Sequence, residues 1–120
     1  MSELATSEYL IILFYNPISS IGKQALAYAT GEGHDVREVD ILKYQFTGTL
    51  LKELADRLNI PIEGLINKKH PEFEKYKDSN FSDSDWITVL RENTELIKEP
   101  IAIRGHQAMF VETPSDLSRL

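Results

Sequence analysis

Residues 9–15, Tyr-Leu-Ile-Ile-Leu-Phe-Tyr, form an unbroken apolar run closed at once by Asn16-Pro17. Seven residues fall well short of the ~20 that span a bilayer. The absence of alternation calls for cover on both faces, as for a central strand in a layered α/β sheet. Ser19 or Ser20 can cap a following helix. Ile21, Ala25, Tyr28 and Ala29 fall at helical spacing as its inward stripe, and Gly31 and Gly33 end it. Residues 34–40 (HDVREVD) read as a short second strand carrying Val36 and Val39. Strand, helix and strand in so short a stretch make a βαβ unit, whose strands are parallel.

Residues 44–98 read as helical almost throughout. Thr47 or Thr49 opens a helix bearing Leu50, Leu51, Leu54 and Leu58 and ending near Asn59, and Pro61 starts a short second one. Ser82 begins a third through a Ser-Asp-Ser-Asp capping box, with Phe81 placed as a hydrophobic staple and Trp86, Val89, Leu90 and Ile97 as its apolar face. Tyr44, Phe46, Phe81 and Trp86 are read as core aromatics rather than an interaction surface. Pro100 breaks the helical pattern. Residues 101–103 and 108–111 then flank Arg104-Gly105-His106-Gln107 as a β-hairpin, and Pro114 opens a final helix. The expected fold is α/β: βαβ, a helical insertion, then ββα, with a mixed sheet of about four strands. A chain of 120 residues holds one such domain, with residues 1–8 as a flexible N-terminus.

Composition removes several functions. There is no cysteine, so disulfide exchange, thiolate attack and cysteine-ligated metals are excluded. Thirteen basic against 19 acidic residues give a net charge of -6, which repels phosphate backbones and argues against direct nucleic-acid binding. The one basic stretch, Lys68-Lys69-His70 with Lys75 and Lys77, is interrupted by Glu72, Glu74 and Asp78 and reads as a solvated surface. His34, His70 and His106 lack metal-ligand spacing, so no metal and no cofactor are expected. Two glutamates and no Lys or Arg precede the first apolar run, unlike a secretory signal. Cytoplasmic residence without membrane association is the expectation.

Three local signatures in this element order resemble the arsenate reductase (ArsC)/Spx/YffB family of thioredoxin-like proteins. They are Tyr15-Asn16-Pro17-Ile18-Ser19-Ser20, similar to the family's Y-N-P-x-C loop; Glu99-Pro100-Ile101-Ala102-Ile103, similar to its R-P-[IL]-[VI] segment; and Leu65-Ile66-Asn67-Lys68-Lys69, similar to its L-[LIF]-[NR]-[KT]-R stretch. The resemblance puts Ser19 where the nucleophilic cysteine would stand. It puts Asn67, Glu99 and Thr113 where oxyanion-clamping arginines would stand, leaves Lys23 as the retained cation, and implies a cis Glu99–Pro100 bond.

By that matching the chain has no catalytic residue. Asn16, Ser19, Ser20, Lys23, Asn67, Glu99 and Pro100 are the candidate ligand-binding positions. Serine at 19 reads first as a helix cap and second as part of a surviving anion pocket, and Glu99 is expected to oppose an external anion or to fill that pocket itself. The resemblance also implies partners. Spx proteins bind the RNA polymerase α C-terminal domain rather than process a substrate, so a protein partner is expected. With Ser19 and Gly22 at the places of the Cys-x-x-Cys switch, that contact is free of redox control. The alternative is glutathione, or another peptide-like anion, held along the Pro100 edge.

Overall fold

The computed structural model describes residues 7–120. The sheet has four strands in the order β2-β1-β3-β4: β1 (Leu10–Tyr15), β2 (Asp35–Asp40), β3 (Ile101–Arg104) and β4 (Gln107–Phe110). β1 pairs parallel with β2, from Leu10↔Asp35 to Tyr15↔Asp40, and antiparallel with β3 through Phe14↔Ile101 and Ile12↔Ile103. β3 returns along β4 antiparallel. Alternate side chains of β1 enter two cores, which is why its sequence shows no alternation. Ile11, Leu13 and Tyr15 pack with Ala25 and Ala29 of helix α1 (Ser20–Gly31), and with Leu117. Ile12 and Phe14 face the insertion: Leu50, Leu51 and Leu54 of α2 (Gly48–Leu58) and Trp86 and Leu90 of α3 (Asp83–Glu92).

Each helix begins where its cap chemistry says it should. Ser19 Oγ accepts from Gly22 N, Thr47 Oγ1 accepts from Leu50 N, and Ser82 and Asp85 close a reciprocal capping box. Asp85 serves in place of the usual glutamate because its Oδ2 reaches Ser82 N at 3.0 Å. Asn59 ends α2 in the left-handed region at φ 57.

Several details depart from the sequence reading. The buried stripe of α1 is Gly22, Ala25 and Ala29, with Ile21 and Tyr28 only half-buried, because the first turn packs too closely against loop 16–19 for a side chain at 22. Gly31 is the last helical residue rather than the stop, and the second strand starts at Asp35, after Gly33 turns at φ 83. The insertion is not continuous helix. Three 3₁₀ turns, Ile62–Leu65, Pro71–Lys75 and Thr94–Leu96, connect α2 and α3 to each other and to β3. Ile97 lies beyond α3 and bridges Ile66 instead. Phe46 and Trp86 are core, but Tyr44 and Phe81 are exposed. The last helix is a 3₁₀ turn, Pro114–Arg119, and Val111 follows β4 instead of belonging to it. Of the N-terminal segment, residues 1–6 lie outside the described residues. Ser7 O accepts from Gly105 N and Glu8 O accepts from Arg104 Nε, tying that end to the β3–β4 hairpin.

Candidate functional site

The carboxyl end of β1, the N-terminus of α1 and the entry to β3 meet at one place. Pairing of β1 with β3 brings residue 16 beside residue 99, though 83 positions separate them. Glu99–Pro100 is cis, and Pro100 is buried with its carbonyl accepting from Val111 N at 2.9 Å.

Loop 16–19 is wound on itself. Asn16 Oδ1 accepts from Ile18 N at 2.8 Å, and Asn16 O accepts from both Ser19 N (3.0 Å) and Ser19 Oγ (3.1 Å). Ser19 Oγ in turn accepts from Gly22 N at 2.9 Å. The hydroxyl therefore donates to a carbonyl and accepts from an amide, and among the described residues no basic side chain hydrogen-bonds to it. Glu99 Oε1 accepts from Asn16 N at 2.9 Å. Its carboxylate sits against the first turn of α1, 3.1 Å from where a side chain on Gly22 would begin. Such a charge-assisted bond to a backbone N–H beside a helix N-terminus is favourable. Just below, Tyr15 ends β1 with its hydroxyl donating to Glu38 Oε1 at 2.8 Å; burial first, then that carboxylate, push its phenol up to about 12.

A cleft of about 860 Å³ opens alongside. Ile21, Ile66, Phe110 and Val111 give it apolar walls, and Asn67, Lys69, Lys98 and Glu99 polar ones. Lys98 stands over the Phe110 ring, 4.7 Å from its centroid, and Lys68 is paired with Glu63. The structure thus brings Asn16, Ser19, Glu99 and Pro100 together and sets Asn67 on the neighbouring wall. The other positions are elsewhere occupied or turned outward. Ser20 Oγ accepts from Gln24, Lys23 is exposed, and Thr113 caps the terminal turn with Asp116. Ile21, Lys98 and Phe110 also line the cleft, a role that motif matching does not mark, because it selects the clamp positions and passes over their neighbours. Among the described residues no group of three or more His, Cys, Asp or Glu side chains could hold a metal ion.

Solved structures share this architecture over nearly their whole length. An arsenate reductase from Vibrio cholerae superposes with a TM-score of 0.85 at 21% identity, covering 94% of this chain and 98% of its own. A candidate arsenate reductase from Yersinia pestis gives 0.85 at 20%, covering 92% and 99%. The fold is that of the ArsC arsenate reductases. A candidate ArsC-family relative from Bacteroides fragilis agrees, at 0.76 and 16% identity over 91% and 95%. No protein-family model and no curated protein matches the sequence. On this ArsC-type, thioredoxin-like fold, the loop after β1 carries no thiol, and the Glu99 carboxylate is bonded to its first residue. No helix among the described residues is long and apolar enough to cross a membrane.

Proposed function

We propose that this chain is a non-catalytic protein of ArsC-type fold that works in the cytoplasm through contact with another protein. The observation that carries the reading is the state of Ser19, whose hydroxyl is spent as a helix cap between Asn16 O and Gly22 N in a chain without cysteine. Arsenate reduction needs a soft nucleophile that can be discharged as a disulfide, which a hydroxyl cannot supply. The purified chain is expected to show no arsenate reductase, glutaredoxin or disulfide reductase turnover above buffer with any added thiol system. Turnover that Ser19→Ala abolishes would overturn the reading. Fractionation of source cells tests the compartment.

The 860 Å³ cleft favours a second reading, a glutathione- or anion-binding protein without a covalent step. The position of Glu99 weighs against it. A helix end favours an anion by roughly 0.3–1 kcal/mol when exposed and ~2 when partly buried. The Glu99 carboxylate, already bonded to Asn16 N, opposes a second anion by a comparable amount. Arsenate, phosphate and sulfate are therefore expected to bind the wild type negligibly, and Glu99→Arg to bind them measurably, in a chemical-shift titration of both. Tight oxyanion binding by the wild type, centred on residues 18–23, would raise the second reading above the first.

A further inference from the structure

Glu99 is half-buried at the entry to β3, and among the described residues no Lys, Arg or His is ion-paired with it. The cations that share its cleft are engaged elsewhere or exposed: Lys68 holds Glu63, Lys98 stands over the Phe110 ring, and Lys69 faces solvent. The carboxylate is instead held by a backbone donor, the Asn16 N–H, at 2.9 Å. Where no cation reaches a half-buried carboxylate, N–H donors have to satisfy it.

The seat that Glu99 fills exists because residue 22 is glycine. A Cβ there would stand 2.5 Å from Asn16 O, 2.7 Å from Ser19 Oγ and 3.1 Å from Glu99 Oε1. The space over the Gly22 Cα is thus shared between the loop and the carboxylate. It opens on the 860 Å³ cleft, one wall of which is Glu99 itself. From that wall the side chain reaches the N–H that starts loop 16–19. It fastens the loop to a segment 83 positions away. A free carboxylate entering the cleft would find this place taken.

We propose that Glu99 is a built-in ligand. Its carboxylate fills, as an autoinhibitory contact, a seat for a small carboxylate formed by the Asn16 N–H and the bare Cα of Gly22, and in filling it holds loop 16–19 in place. The atoms of a glutamate side chain beyond Cβ are those of an acetate ion. Glu99→Ala therefore removes one acetate and leaves a seat of that size. The inference rests on the reading of the chain as non-catalytic, with Ser19 a helix cap, and it states how the site is kept closed.

The test is chemical rescue, read by amide exchange and chemical shifts in sodium acetate, with sodium chloride at equal ionic strength as the control. In Glu99→Ala the Asn16 and Ser19 amides should exchange roughly tenfold faster than in the wild type. Acetate should restore most of that protection and shift residues 16–22 saturably. Propionate, one methylene too large for the seat, should bind several-fold more weakly. Glu99→Gln keeps the seat filled and should ignore acetate, as the wild type should. Unchanged exchange in Glu99→Ala, shifts that chloride reproduces, or saturable acetate shifts of equal size in the wild type would each overturn the proposal. If Glu99→Ala does not fold, Glu99→Ser vacates the same seat and is read in the same way. A failed rescue leaves the non-catalytic reading standing, whereas turnover that depends on Ser19 sinks that reading and leaves the titration unaffected.

Discussion

Gly22→Ala is expected to destabilise the protein by about 2–3 kcal/mol, read as a lower urea midpoint at unchanged slope. Helix propensity alone predicts the opposite, a gain near 1 kcal/mol for Ala over Gly inside a helix. The neighbours decide the sign. A Cβ at 22 would lie 2.5 Å from Asn16 O, 2.7 Å from Ser19 Oγ and 3.1 Å from Glu99 Oε1. The first of these is backbone, so it cannot swing aside as a flexible side chain does. Relief requires moving loop 16–19, which strains the bonds from Ser19 N, Ser19 Oγ and Gly22 N and the charge-assisted bond from Asn16 N to Glu99. Each neutral bond contributes roughly 0.5–1.5 kcal/mol and the charged one more. Gly31→Ala is the control. Its Cβ would meet nothing within 4 Å, so it should be neutral or stabilising. If Gly22→Ala proves as harmless as Gly31→Ala, the packing described for this loop is wrong.

The same glycine shows where sequence reading stops. An inward stripe is recognised by its apolar members, and a glycine that faces the core because something must approach it leaves no apolar mark. Apolar spacing therefore selects Ile21 for the stripe, whereas its neighbour Gly22 is the buried residue. Exposed aromatics raise a related difficulty. Tyr44 and Phe81 lie in segments without a helical or strand period, and only periodicity separates a core aromatic from a surface one. What carried a local physical signal was legible. The seven-residue apolar run gave β1, Ser82 with Asp85 gave the start of α3, and Pro100 with two apolar runs around Gly105 gave the hairpin.

The site was legible only in part. Ser19 as a cap follows from residue type and position alone. The contact between Asn16 and Glu99 does not, since no local pattern joins residues 83 apart; the family resemblance puts both residues at one site without pairing them. It did not supply the geometry, in which the carboxylate takes the backbone N–H of the loop's first residue.

Phe14→Ala is expected to cost about 3–5 kcal/mol, the range for deleting a buried phenylalanine. Phe14 is 2% exposed and packs in the larger core, its ring 6.0 Å from that of Phe46. It also occupies the penultimate position of β1, paired with Val39 on one side and Ile101 on the other. The cavity would therefore open beneath the strand end that launches loop 16–19 and beside the residue that follows Pro100. A domain of this size has only about 5–15 kcal/mol of total stability, so the variant should lose a large share of it and stand close to unfolding at physiological temperature. Partial melting should appear first in the site loop, as faster amide exchange at residues 16–22 than at Leu50 or Leu54 of α2, which keep most of their own contacts. Tyr9→Ala on the same stretch of chain is the comparison. That side chain is 84% exposed, and its loss should stay within about 0.5 kcal/mol. Equal effects of the two substitutions would mean that the apolar run is not the buried central strand around which the candidate site is built.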